Sequence, residues 1–517
     1  MSTNFRTPTS PIAAVPAKAG ARAWVALAVL MLPVLLVSVD NTVLSFAVPS
    51  ISLALKPSAA GLLWIIDVYP LVLAGLLVSM GSLADRFGRR RMLLIGGVGF
   101  ALVSAAAAFA PTAEALIGYR ALLGVFGAML MPSTLSLIRN IFTHPGQRSL
   151  AIAIWAACFS GGAALGPIVG GFLLEHFWWG AVFLMAVPVL VLLLVLAPFF
   201  LPESRDPRPG RIDPASIVLS FGAMVPLVFG IKETAQTGLT AVTASLMLLG
   251  LGLGVLFVRR QLRRTAPMLD VRLFTNKVFT GGVLVNLLSV FALVGFLYFI
   301  TQHLQLVLGM SPTAAAYVLV PGLVISIATG LAAAPLSKLV RPAYLAVGGL
   351  LLNAAGFLVV WLNTSGSVAG VILAFAVLGA GVGVSETISN DLILSAAPPA
   401  KAGAASAISE TAYEVGSVLG TAVLGSILAA VYRANIVLPS ALGGADRASA
   451  GQTLGGAIDA AAGLPGESAN ALLVSAKHAF DAGSVIVAVT GVALMLVAAL
   501  LCLRTLRSVP ARKNLAR

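Results

Sequence analysis

The segments GGAALGPIVGGFLL (161–174) and VGSVLGTAVLGSIL (415–428) align without a gap at an offset of 254 residues. Gly162, Leu165, Gly166, Val169, Gly171 and Leu174 recur as Gly416, Leu419, Gly420, Val423, Gly425 and Leu428. A second pair, LADRFGRRRMLLIGG (83–97) and LSKLVRPAYLAVGG (336–349), aligns with one residue deleted at almost the same offset. Two matches at one spacing point to a chain duplicated within itself, and internal repeats of this size are a sequence mark of transporter architecture.

Working outward, the solvent is the next question. Of 517 residues, 59% are hydrophobic and 10% charged, and the mean hydropathy is +1.02. A water-soluble domain carries about 25% charge, so the lipid bilayer must be the main solvent. Fourteen apolar runs reach the roughly 20 residues a spanning helix needs. They group as six over 24–201, two over 213–258 and six over 278–503, which maps span 5 onto span 13 and span 1 onto span 9. The expected fold is an all-α polytopic membrane protein of two six-helix bundles with a two-helix insert. Segment 1–23 reads as a disordered tail, 504–517 as a basic tail, and 433–478 as the one long loop on the opposite side, either a hairpin or largely unstructured.

The net charge of +14 would suggest nucleic acid in a soluble chain. Here 26 of the 32 Lys and Arg residues fall in alternate hydrophilic segments beginning with the N-terminus. The opposite segments hold Lys56, Lys232, Arg433, Arg447 and Lys477, and Arg120 lies inside span 4. The positive-inside rule then places both termini in the cytoplasm, and the charge serves topology rather than nucleic acid.

Ionisable groups within the membrane are costly, so each is a functional candidate: Asp40 in span 1, Asp67 in span 2, Arg120 in span 4, Glu386 in span 12, and Glu410 and Glu414 in span 13. Glu410 and Glu414 are four apart and share a helix face; such a pair can hold a proton and release it when a cation arrives. Tyr413 adjoins them. Asp40, with polar Asn41 beside it, suits a proton or cation site facing a cavity. Asp67 fits a gate, a vestibule or a snorkelling carboxylate. Glu386 fits an inner gate, a proton guide or a plain interfacial acid. A buried guanidinium demands a partner, and Asp40 lies at a similar depth to Arg120; the pair is either functional or a static structural one. Aromatic candidates for a cation-accepting cavity are Trp64, Phe296, Tyr298, Phe299 and Tyr317.

These residues carry a resemblance. GSLADRFGRRR (81–91) resembles the loop motif between helices 2 and 3 of the major facilitator superfamily, with Gly81, Asp85, Arg86, Gly88, Arg89 and Arg90 in place. Physically, Gly81 allows close packing, Gly88 a turn, and Asp85 suits the cap of a facing helix or a partner for a facing Arg. RALLGVFGAML (120–130) resembles the span 4 motif in Arg120 and Gly124, but has Leu123 where a polar residue is usual. GGAALGPIVGG (161–171) resembles the antiporter motif through Gly162, Gly166, Pro167, Gly170 and Gly171. VDNTVLSFAVP (39–49) is similar to the span 1 motif of the fourteen-helix drug:proton antiporter branch.

That resemblance implies export of lipophilic cationic drugs, dyes and quaternary ammonium biocides, driven by the proton gradient across a bacterial cytoplasmic membrane. It also implies that the acids of spans 1 and 13 take part in coupling and cation recognition. Some relatives carry an acid in span 10; 313–336 has none, which argues against divalent-cation export. A narrow-specificity exporter of the same fold, for tetracycline, a siderophore or a lipid, is the alternative. No G-x-x-x-x-G-K-[ST] and no H-E-x-x-H occurs, so neither a nucleotide-driven pump nor a zinc hydrolase is indicated. No enzyme activity, metal or cofactor is expected; the partners are cationic small molecules, protons and lipid, and the working unit is a monomer.

Overall fold

The computed structural model describes residues 18–205, 213–265, 267, 269–337, 339–363, 366–397 and 402–506. Most of the expected tails, 1–17 and 507–517, lie outside them. Fourteen described helices are long and apolar enough to cross a membrane. Spans 1–6 are Ala21–Leu55, Ala59–Phe87, Arg89–Ala108, Ala113–Ile141, Gly146–His176 and Ala181–Phe200. Spans 7 and 8, the insert, are Pro214–Thr234 and Ala241–Arg263. Spans 9–14 are Lys277–Val307, Pro312–Leu336, Pro342–Leu362, Val368–Ala396, Ala404–Asn435 and Gly466–Leu506. Proline and small polar residues start several of them: Thr112 caps span 4, Asp213 span 7, Thr240 span 8 and Ser367 span 12, each accepting from a backbone N–H of the first turn.

The repeated glycines explain how the halves are built. In span 5, a Cβ at Gly162 would sit 2.8 Å from Ser38, and one at Gly166 would collide with Thr42 Oγ1. In span 13, Cβ atoms at the matching Gly416 and Gly420 would run into the Leu287 and Phe291 carbonyls. Span 5 thus seats its small face on span 1 as span 13 does on span 9, the close approach that small residues permit. The third matched glycine reaches across the pseudo-symmetry. Gly171 abuts Ala316 and Thr313 of span 10, and Gly425 abuts Leu63 of span 2. Each copy of the motif therefore touches the second span of the other half.

Hydrogen bonds that join the halves cluster at the end of the bundle away from loop 81–91. Thr301 Oγ1 donates to Ser45 O at 2.9 Å and Gln305 Nε2 to Phe46 O at 3.2 Å. Glu175 Oε2 accepts from Ser311 Oγ and from Thr313 N. The long loop caps this far end. Helices Gly444–Gln452 and Leu454–Ala461 bury Leu454, Ala457 and Ala460. Tyr432 Oη at the end of span 13 donates to Ala450 O and Thr453 O, and Gln452 Oε1 accepts from Ala59 N. Lys56, whose left-handed backbone (φ 47°) ends span 1, lies 2.7 Å from Asp459, and that carboxylate raises the ammonium's pKa above its ordinary value. Of the two readings of 433–478, the unstructured one is corrected: apolar residues at helical spacing gave the segment a face to bury.

Two boundaries also move. The helix of span 1 begins at Ala21, and Ala19 exchanges hydrogen bonds with Gln147, so the end of segment 1–23 is ordered. The helix of span 7 runs on to Thr237, which takes Lys232 out of the outer loop and into the bundle, where it is 1% exposed. No Gly or Pro stands between Ile231 and Gly238, so nothing in the backbone stops the helix at the lysine.

Candidate functional site

Span 1 carries Asp40 at mid-helix and span 4 carries Arg120, and the two meet in the core of the first half. Arg120 Nη1 lies 2.9 Å from Asp40 Oδ2, its Nε donates to Ile65 O at 3.1 Å, and its guanidinium lies 4.6 Å from the Tyr69 ring centroid. Both residues are buried, at 2% and 5% exposure. The pairing expected from depth alone is present. Gly124, one turn along span 4, lets that helix close on span 2, because its Cβ would meet the Tyr69 carbonyl and Val72 at 2.8 Å.

Across the seam between halves, Asn41 faces Glu414 of span 13, and Asp40 and Arg120 lie within electrostatic reach of the same carboxylate. Glu414 is buried, and its Oε2 has no hydrogen-bond partner among the described residues. Glu410, one turn nearer loop 81–91, is partly buried and faces Arg139 of span 4. Glu386 of span 12 neighbours Tyr413. An aromatic run continues the lane into span 5: Phe159 meets the Tyr413 ring edge-on at 5.6 Å and stacks on Trp155 at 6.2 Å, whose indole N–H donates to Thr134. Asp40, Asn41, Arg120, Glu386, Glu410, Tyr413 and Glu414 therefore share one central region. Carboxylates beside aromatic faces in a low-dielectric setting can hold a proton or an organic cation.

The other aromatic candidates stand elsewhere. Phe296 is fully buried among Phe299, Phe357 and Phe375 in the core of the second half. Phe299 borders a separate cavity of about 200 Å³ that also holds His303 and Asp481. Tyr298 is buried at the far end against Gly425. Tyr317 is 63% exposed and points out of the bundle. An apolar-run reading assigns helices but not the face each ring takes, so these four rings are corrected to packing or periphery. Trp155 and Phe159 were missed, although their i, i+4 spacing on the glycine-rich face was a usable signal.

Asp67 neither snorkels nor lines an open vestibule: it is fully buried, 2.9 Å from Lys232 of the insert. Lys232 Nζ also donates to Leu63 O at 3.1 Å and lies 4.0 Å from the Trp64 ring centroid. Arg120 is thus not the one basic side chain buried within a span. Two buried cations flank span 2, one held by Asp40 and one by Asp67.

The loop motif is built differently from expectation. Asp85 pairs with Arg89 in its own loop, at 2.8 Å. The cap of span 3 comes instead from Glu203, whose carboxylate accepts from Arg90 N and Arg91 N at 3.1 and 3.2 Å. Gly88 has φ 114° and would press a Cβ into that carboxylate, so both its backbone and its space exclude other residues. Arg90 Nη1 donates to Leu201 O at 3.0 Å, tying the loop to the end of span 6. Gly81 lies against Pro132 of span 4, Arg86 is exposed, and Gly170 packs on Val43 of span 1 while Pro167 is buried.

The sequence matches the model of the Major Facilitator Superfamily over residues 30–421. The chain belongs to that superfamily. As a superfamily member it is a multi-pass membrane transporter. It is 58% identical over 479 residues to the "Multidrug efflux pump LfrA" of Mycolicibacterium smegmatis, covering 92% of this chain and 95% of that protein. It is 38% identical to the "Methyl viologen resistance protein SmvA" of Salmonella typhimurium, over 89% of this chain and 93% of that protein. It is 34% identical to the "Tetracenomycin C resistance and export protein" of Streptomyces glaucescens, over 99% and 97%. Among solved structures, a bacterial homologue of the lysosomal transporter Spinster superposes with a TM-score of 0.64 at 17% identity, covering 94% of this chain and 98% of that one. That likeness is one of fold.

Proposed function

We propose that this superfamily member is a proton-coupled antiporter that exports lipophilic cationic drugs, dyes and quaternary ammonium compounds by alternating access. The observation that carries the reading is the pairing of Asp40 with Arg120 directly across the seam from Glu414, which among the described residues has no ion-pair partner. The relatives named for multidrug efflux and for resistance to methyl viologen support the cargo class.

In this reading the end bearing loop 81–91 faces the cytoplasm of a bacterial cell, by the positive-inside rule, and the protein works as a monomer. The clustered contacts at the far end then close the outer side. A cation enters from the cytoplasm or inner leaflet, rests on the Trp155, Phe159 and Tyr413 faces, and is balanced by Glu410 and Glu414. The halves rock about this lane and open it outward. A proton reaching Asp40 removes the partner of Arg120. The guanidinium keeps its charge and turns to Glu414 across the seam, displacing the cargo. Two protons exchanged for one monovalent cation would also draw on the membrane potential, at about 2.3 kcal/mol per charge per 100 mV.

Ethidium efflux from energised cells tests the reading. Wild type should clear the dye, an uncoupler should stop it, and Glu410→Gln should slow clearance by about tenfold if that carboxylate contributes a charge-assisted contact of about 1.4 kcal/mol. Efflux that persists with the uncoupler present would count against proton drive. A panel in which only one compound is exported would favour the narrow-specificity alternative, for which the tetracenomycin C exporter is the supporting relative.

A further inference from the structure

The two-helix insert joins the core at one point that packing does not explain. Span 7 brings Lys232 to a pocket whose walls come from three separate units: Asp67, Leu63 and Trp64 of span 2, Thr421 of span 13, and the insert itself. Leu71, Val228, Val418 and Ala422 form an apolar cluster around it, with Trp64, Met224 and Ile231 against its edge. Lys232 and Asp67 are 1% and 0% exposed. The walls make up a cation receptor: one carboxylate, one backbone carbonyl and the face of an indole. The Thr421 side chain of span 13 lies within hydrogen-bond reach of the Asp67 carboxylate and completes the polar shell around it. Thr421 opens a π turn, Thr421–Gly425, a local widening of the helix that often marks function. A buried ion pair is seldom kept for stability, since apolar residues of similar volume do as well.

The geometry points to a cation-binding site formed by Asp67, Trp64 and the Leu63 carbonyl, occupied by Lys232 as a tethered internal ligand that keeps exported cations from lodging there. The site lies across span 2 from the Ile65 and Tyr69 contacts of Arg120, and its Leu63 end adjoins the closed far end, where Gly425 of the same π turn abuts Leu63. In the proposed export route a departing cation passes this carboxylate. With the ammonium of Lys232 already in place, the carboxylate is neutralised and the cargo leaves. The insert is thus a carrier of one fixed charge. This consequence for transport rests on the proposed export of cations; the binding site itself does not.

The test separates the two. In purified Lys232→Ala, truncation empties the space of a propyl stem and an ammonium, which n-propylammonium reproduces. The expected result is that n-propylammonium raises the melting temperature of Lys232→Ala by about 3 °C at saturation, while n-propanol does not. Wild type and Lys232→Ala/Asp67→Asn should show no such response to n-propylammonium. If Lys232→Ala is recovered folded only when n-propylammonium is present during extraction, the site is equally supported. A folded Lys232→Ala indifferent to n-propylammonium would overturn it, as would failure to recover Lys232→Ala with or without the amine while the double variant folds. In transport, Lys232→Met should slow ethidium efflux by about tenfold, a change of about 1.4 kcal/mol, and Lys232→Met/Asp67→Asn should restore most of it. Equal efflux by wild type and a folded Lys232→Met would overturn the release role while leaving the binding result to stand alone.

Discussion

Asp40→Asn will abolish uphill export of ethidium while the protein still reaches the membrane. The carboxamide is nearly isosteric but cannot balance the Arg120 guanidinium 2.9 Å away. Breaking a buried pair by removing one charge costs about 3–5 kcal/mol, so the single variant should also melt earlier in detergent. Arg120 keeps two other contacts, the Ile65 carbonyl and the Tyr69 ring, which hold its side chain near its place. Stability and function must then be separated. The double variant Asp40→Asn/Arg120→Gln removes both charges and should recover most of the lost melting temperature, with transport still absent. If the double variant exports ethidium at the wild-type rate, the pair is a structural strut and the coupling must lie in span 13 alone.

Gly166→Val will disable the transporter by a different route. The glycine lets span 5 lie on span 1, and a Cβ there meets Thr42 Oγ1 and the Val39 carbonyl, the latter at 3.1 Å. Valine adds two further methyl groups. Overpacking of a tight contact costs about 1–3 kcal/mol, and the strain is relieved by moving span 1. Asp40 is two residues from Thr42, so the same shift pulls its carboxylate from Arg120. The expected outcome is a lower melting temperature together with lost efflux. Gly161→Val is the control: a Cβ at Gly161 meets nothing within 4 Å, and that variant should behave as wild type. Gly420→Val, the matching position in the other half, faces the Phe291 carbonyl and should reproduce the defect. A harmless Gly166→Val would show that the repeated glycines are not packing residues.

The architecture was readable because its causes are one-dimensional. A bilayer dictates the length of each apolar run, and the duplication leaves equal offsets, so 162 and 416 announce equivalent helices before either is placed. Asp40 and Arg120 could be paired from depth alone, since each was conspicuous in an apolar helix and had few partners to choose from. What escaped was rotational. Periodicity in an almost wholly apolar helix does not say which face meets the centre, and so Phe296 and Tyr317 looked equivalent to Tyr413. Lys232 escaped because a charge ordinarily ends an apolar span, whereas this helix continues and buries the ammonium against Asp67. The cap of span 3 escaped for a further reason: it comes from Glu203, 113 residues away in sequence, a distance at which no local motif can report. The far-end cap was half visible, in the apolar spacing of 454–461, but its docking depends on Tyr432 and Gln452.

The most direct test of the central claim is proton movement driven by cargo alone. Reconstituted protein is loaded with ethidium and a pH-sensitive dye, the membrane potential is clamped with a potassium ionophore, and the vesicles are diluted into dye-free buffer at equal pH. The account predicts that outward ethidium flux acidifies the lumen, that Glu414→Gln removes both signals, and that Gly161→Val retains them. Ethidium leaving through the wild-type protein with no change in internal pH would contradict it.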